Sequence, residues 1–91
     1  MKTRYLICYD ITRPRRLQRI HKFLKARGFH IQYSVFLLHL GWQQFQEVKD
    51  EISEIINAKY DDVRIYPLPS ACKEVILGIG NRLPKDIQFF T

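Results

Sequence analysis

The chain has 91 residues, 46% of them hydrophobic, which is enough for one small domain with a modest core. Lys and Arg total 15 against 9 Asp and Glu, a net charge of +6. No run approaches the roughly 20 apolar residues of a membrane span. The first apolar run is short and ends in Asp10, so neither a secretory leader nor an anchor is expected and the expected compartment is the cytoplasm.

The charge is unevenly spread. Residues 1–30 carry nine bases and one acid, a net +8, whereas residues 31–91 carry six bases and eight acids, a net −2. A basic patch confined to the first third points to nucleic acid or another polyanion, with a merely solvated helix face as the alternative. Cys8 and Cys72 form no CxxC pair, and two reduced thiols are expected rather than a disulfide.

Tyr5-Leu6-Ile7-Cys8-Tyr9 reads as a buried strand, within about Thr3–Asp10. Tyr5, Ile7 and Tyr9 point to one face and Leu6 and Cys8 to the other, so both faces want cover. A helix follows over about Pro14–Arg27, with Thr12 or Arg13 as N-cap, Pro14 in the first turn, and Gly28 at the position after the end. Leu17, Ile20 and Leu24, beside Phe23, form its core stripe, and Arg15, Arg19 and Lys22 an opposite stripe.

Phe29–Tyr33 and Ser34–Leu40 then read as one long bent strand or as two strands joined by a bulge or tight turn, with two pieces preferred. Gly41-Trp42 leads into a second helix, about Gln43–Ala58. Phe45, Val48, Ile52, Ile55 and Ile56 make its apolar stripe, and Glu47, Asp50, Glu51 and Glu54 its outer face. Asp61-Asp62 makes the next turn, and Val63–Leu68 a strand whose Pro67 suits an edge or a strand end. Glu74–Ile79 reads as a fifth strand and Ile87–Phe90 as a short apolar tail.

The order β-α-β-β-α-β is the α+β, ferredoxin-like pattern, an antiparallel sheet covered by helices on one face. Because the bare face also carries apolar residues, a partner sheet is expected, and an extra C-terminal strand is left over. One domain spans residues 1–91, with residues 70–91 contributing to the dimer.

The residues that carry chemistry gather near Asp10. Arg13, Arg15 and Arg16 follow it, and Arg19, Lys22 and Arg27 continue the basic series as candidate nucleic-acid contacts. Arg15 and Arg16 suit bidentate phosphate binding. Ser34 is a candidate for positioning phosphate or a metal-bound water. Asp10 is the candidate metal ligand and catalytic carboxylate. The alternative for Asp10 is a structural acid that caps the first helix or pairs with an arginine. His21, His30 and His39 are too scattered for a metal set. Tyr5, Tyr9, Phe36 and Tyr66 fit core or interface better than base stacking.

Taken together, Tyr9-Asp10-Ile11, Arg15-Arg16, Leu24 with Gly28, Gln32-X-Ser34-Val35-Phe36 and Asp62-X-Arg64-Ile65-Tyr66-X-Leu68 resemble the small, second core adaptation protein of CRISPR systems, described as a CRISPR-associated endoribonuclease. The resemblance spans roughly residues 3–79. It implies a homodimer of ferredoxin-like units packed sheet to sheet, with the last strand extending the partner's sheet. It also implies spacer acquisition, bridging of a separate CRISPR integrase subunit, and a metal-dependent endonuclease activity. Mg²⁺, which needs only one or two carboxylates, is the expected cation, shared by two Asp10 side chains across a two-fold axis. A purely architectural DNA-binding dimer and a related ribonuclease toxin are the competing readings. Two departures weaken the enzymatic reading more than the fold. Thr12-Arg13 stand where many members have an acid after the strand-one Asp, and Leu37 stands where many have Glu after Ser-Val-Phe.

Overall fold

The computed structural model describes residues 1–70, so the expected fifth strand, the apolar tail and Cys72 lie outside the described residues. The elements run β1 (Lys2–Asp10), α1 (Pro14–Lys25), β2 (Phe29–Gln32), β3 (Val35–Gly41), α2 (Trp42–Ile55) and β4 (Asp62–Leu68). The sheet order is β2-β3-β1-β4, and every neighbouring pair is antiparallel. This is the expected ferredoxin-like arrangement, with β1 central because both of its edges are paired.

Alternation along the strands divides the sheet into two unlike faces. Tyr5, Ile7 and Tyr9 of β1 and Phe36, Leu38 and Leu40 of β3 are buried on one face. They join Ile20 and Leu24 of α1 and Val48, Ile52 and Ile55 of α2 in a single core. Ile7, Ile20, Leu24, Phe36 and Leu38 are fully buried, each contributing about 1.5–3 kcal/mol of apolar transfer. The Tyr5 and Phe45 rings stack at 4.3 Å and tie β1 to α2. The other face is open among the described residues. Leu6, Cys8, Val35 and Leu68 are half-buried there, while Phe29 and Tyr66 are exposed. Leu37 is buried on this face between its neighbours Leu6 and Phe29.

Several local expectations change. α1 ends at Lys25 with Ala26 as its cap, two residues short of the expected end. Leu17 stays 40% exposed because the core beneath α1 is filled by Ile20 and Leu24. Arg13 takes the N-cap position but offers no side-chain bond to the helix. α2 starts at Trp42 and stops at Ile55, with the Gln44 side-chain oxygen accepting the Gly41 N–H at 2.9 Å.

Gly28 does not adopt the left-handed conformation of a usual helix terminator. It is glycine for lack of room: an added Cβ would lie 2.5 Å from the Leu37 carbonyl oxygen and 2.6 Å from a Leu38 methyl. The break between β2 and β3 falls at Tyr33-Ser34, a two-residue turn with Gln32 opposite Val35. Tyr33 has φ of 24°, where glycine or asparagine is the ordinary choice.

A buried carboxylate closes the end of the fold where β1 finishes. Asp61, in the loop between α2 and β4, has a fully buried side chain. It accepts from the Thr12 backbone N–H and hydroxyl, both at 3.0 Å, and from the Asn57 N–H at 2.8 Å. Arg16 adds Nε at 2.7 Å and Nη2 at 3.1 Å, and the same Nη2 reaches the Thr12 hydroxyl. The Arg16 bond, helped by the backbone donors, holds the Asp61 carboxyl well below the usual carboxylate range, against the opposing effect of burial. One side chain thereby ties the β1–α1 loop, α1 and the α2–β4 loop together.

Two outcomes follow for stability. Gly28→Ala forces its Cβ against main chain, and denaturant titration should show a loss of about 1–3 kcal/mol, as for other overpacked sites. Equal stability would mean that β3 can retreat from α1. Asp61→Asn should melt well below wild type at neutral pH. Because the folded carboxyl titrates lower than its unfolded value of 3.8, the advantage of wild type is complete above that value and fades as pH falls below it. Melting curves of both proteins across this range should therefore converge at acid pH. A constant gap would show that charge is not what Asp61 contributes.

Candidate nucleic-acid and metal site at the end of the central strand

Asp10 is the last residue of β1 and is exposed. The chain topology collects four other segments at this end of the sheet. The β2–β3 turn is there, because the Tyr9 N–H donates to the Ser34 carbonyl at 3.0 Å. The β1–α1 loop and the start of α1 follow Asp10 directly. α2 runs back from the far end, and β4 begins at Asp62, opposite Asp10 in the β1–β4 register.

Asp10, Asp61 and Asp62 therefore lie at this end, with different fates. Asp61 is consumed by the clasp. Asp62 pairs with Arg64, Nε to Oδ2 3.0 Å, at the exposed start of β4. The Arg64 guanidinium is shifted further up by hydrogen bonds to Tyr66 and Asp62. Asp10 has no hydrogen-bond or ion-pair partner among the described residues. It therefore neither caps α1 nor pairs with Arg15 or Arg16 there. Two carboxylates directly opposite on one face disfavour each other, and the Arg64 pairing compensates Asp62 alone.

The basic residues also separate by role. Arg13, Arg15, Arg19 and Lys22 are exposed, and their side chains have no ion-pair partner among the described residues. Arg16 is bound to Asp61 through Nε and Nη2, so most of its fork is already used. Arg27 lies at the opposite end of α1, donating to the Phe23 carbonyl at 3.0 Å with its guanidinium 3.8 Å over the Phe23 ring. Ser34 stands in the β2–β3 turn and is held by its main chain.

His21 and His30 come together where sequence spacing suggested scatter. Their rings meet edge to face at 5.0 Å. His21 Nδ1 lies 3.3 Å from the Tyr9 hydroxyl, and His30 stacks on Phe36. Burial, then His30 and Lys25, lower the His21 pKa. No group of three or more His, Cys, Asp or Glu poised for a metal occurs among the described residues. Asp10, the one carboxylate at this end of the sheet without a partner among the described residues, does not by itself make a closed cage. It does suit Mg²⁺, which keeps several waters and takes one or two carboxylates. Tyr5, Tyr9 and Phe36 are core residues, as expected, while Tyr66 lies 45% exposed on the open face.

Sequence reasoning missed Asp61. It reads as half of an Asp-Asp turn, and nothing local separates it from Asp62; only the return of α2 brings it to Arg16. It also missed Tyr33 and Tyr60, which are 87% and 60% exposed at this same end.

Known proteins agree with this architecture. The family model described as CRISPR associated protein Cas2 matches residues 1–76. A protein named CRISPR-associated endoribonuclease Cas2 2, from Thermodesulfovibrio yellowstonii, is 48% identical over 90 residues, covering 99% of both chains. One named CRISPR-associated endoribonuclease Cas2 1, from Nitrosomonas europaea, is 41% identical over 85 residues, 93% of this chain and 80% of that one. Among solved structures, a hypothetical protein of Thermus thermophilus superposes with a TM-score of 0.81 at 28% identity, covering 87% of this chain and 94% of that one. Streptococcus pyogenes Cas2 superposes at 0.65 and 26% identity, covering 90% and 96%. With sequence, family model and fold in agreement across nearly its whole length, the chain belongs to the Cas2 family of CRISPR-associated proteins.

Proposed function

We propose that this protein is a nucleic-acid-binding subunit of CRISPR adaptation that retains a Mg²⁺-dependent endonuclease site at Asp10, works as a homodimer and bridges copies of the CRISPR integrase. The observation that carries the site is the isolation of Asp10. It is exposed at the tip of the central strand and has no partner among the described residues, while Asp61 and Asp62 beside it are held by arginines. The relatives' names as endoribonucleases support phosphodiester hydrolysis as the reaction.

Asp10, with a second Asp10 across a two-fold axis, would hold the cation. Bound Mg²⁺ supplies charge neutralisation at phosphate and a more acidic water. The chain's own contribution is to present a carboxylate kept free of internal ion pairs. Arg13 and Arg15, exposed at the start of α1, bind the flanking phosphates, and Arg19 and Lys22 extend that surface along the helix. Arg16 acts at one remove by fixing the loop that carries Arg13. The half-buried Leu6, Cys8 and Val35, with exposed Phe29 and Tyr66, give the open sheet face the apolar character that a second sheet would cover. The small donor set favours one competing reading, an architectural dimer without catalysis, and the Asp10 variant decides between them.

Asp10→Asn should abolish Mg²⁺-dependent cleavage of RNA or DNA while leaving binding in EDTA unchanged. Its melting temperature in EDTA should match or slightly exceed wild type, since the substitution breaks no internal bond and relieves the Asp62 repulsion. Cleavage at the wild-type rate would remove Asp10 from the chemistry. In sedimentation velocity at micromolar concentration the full chain should run as a dimer, and a folded monomer would contradict the sheet-to-sheet assembly.

A further inference from the structure

β2 is an edge strand of the sheet, and α1 packs against it. His21 of α1 and His30 of β2 meet there edge to face, with ring centres 5.0 Å apart. His30 also stacks on Phe36 at 4.7 Å, and His21 meets the same ring at 5.4 Å. Phe36 is fully buried, so both imidazoles rest against a fixed wall. Each directs one ring nitrogen toward the end of the sheet where β1 finishes. His21 Nδ1 lies 3.3 Å from the Tyr9 hydroxyl, and His30 Nε2 bonds to the Tyr33 carbonyl. The turn that His30 reaches needs a hold. Tyr33 has φ of 24°, a conformation that a residue other than glycine keeps only when its surroundings impose it. Its neighbour Ser34 accepts the Tyr9 N–H at 3.0 Å, and Tyr9 precedes Asp10, the last residue of β1. A series of contacts thus runs from Phe36 and His21 through His30, Tyr33 and Ser34 to the main chain that carries Asp10.

We infer that His30, buttressed by His21, is a positioning residue of the Asp10 end: its Nε2–H holds the strained Tyr33-Ser34 turn, and the turn holds the last peptide of β1 where Asp10 meets its ligand. This rests on the reading of Asp10 as the cation-binding carboxylate and adds the group that sets its position. A carbonyl oxygen only accepts, so His30 carries its proton on Nε2. Burial, with His30 and Lys25 close by, disfavours charge on His21. Neutral His21 therefore leaves Nδ1 to accept from the Tyr9 hydroxyl. The role of His30 is donor geometry, not proton transfer. Glutamine, whose side-chain N–H falls near the place of Nε2, can replace it, whereas alanine leaves the Tyr33 carbonyl without that donor.

Nuclear magnetic resonance of the full-length, isotope-labelled protein tests this. At neutral pH the imidazole nitrogen shifts of wild type should show Nε2 protonated and Nδ1 bare in both His30 and His21. His30 is exposed, so its replacement should leave the protein folded. Amide shifts in His30→Ala should change at Tyr33, Ser34 and Asp10, and stay as in wild type at Trp42, at the far end of the sheet. The Mn²⁺ concentration that half-broadens the Asp10 amide should rise about fivefold in His30→Ala. His30→Gln should bring both readouts back toward wild type. His21→Ala, which removes the buttress and not the donor, should give a smaller change of the same sign. A proton on Nδ1 of His30, an unchanged Mn²⁺ response in His30→Ala, or His30→Gln as impaired as His30→Ala would overturn the assignment. Absence of Mn²⁺ broadening at Asp10 in the wild type would instead overturn the reading of Asp10 as the cation site.

Discussion

The Asp61 carboxylate is the constraint on which the working end of this molecule depends. A buried charge is costly unless its acceptor sites are filled. Here Thr12 and Arg16, from the β1–α1 loop and the first turn of α1, and Asn57, just past the distant end of α2, fill them. The clasp fixes where the β1–α1 loop leaves the sheet and where β4 begins. The placement of Arg13 and Arg15 relative to Asp10 follows from that, because both sit on the clasped loop and the first turn after it.

The clasp also sorts the charges. Arg16 is drawn inward to neutralise Asp61, and Arg64 engages Asp62, so of these three neighbouring carboxylates Asp10 is the one left for an external ligand. The same economy appears in the aromatics. Those on the helix-facing side of β1 and β3 are committed to packing, and those on the turns at the end of β1 are exposed. The resulting rim combines Asp10 with exposed guanidinium groups, a combination suited to a phosphate-bearing ligand. α2, packed beside α1 on the same sheet face, carries an acidic outer face, so a polyanion is steered away from it and toward the bases of α1.

Much of the fold was legible because it rests on periodicity. The alternation in Tyr5–Tyr9 and the helical spacing of Val48, Ile52 and Ile55 are local signals, and they specify which face each element buries. The position of the β2–β3 turn was readable only as a choice, since Tyr33-Ser34 carries neither Gly nor Pro and the turn is made by an unfavourable residue. Gly28 looked like a helix terminator but is required by the approach of β3, a contact that exists only after folding. At the site, Asp10 and its exposed arginines were legible from charge and order. The division of labour between Arg15 and Arg16 was not, because it depends on Asp61 arriving from 45 residues away in the chain. The meeting of His21 and His30 was hidden for the same reason.

The most direct test of the account is a nuclear magnetic resonance titration of the isotope-labelled protein with Mn²⁺ in place of Mg²⁺, followed by an oligonucleotide. Paramagnetic broadening should centre on the amides of Asp10 and its neighbours in the β1–α1 loop. Shift changes on adding the oligonucleotide should then appear at that loop and at Tyr33-Ser34. Broadening confined to the acidic face of α2, around Glu47, Asp50, Glu51 and Glu54, with no response at the end of β1, would contradict it.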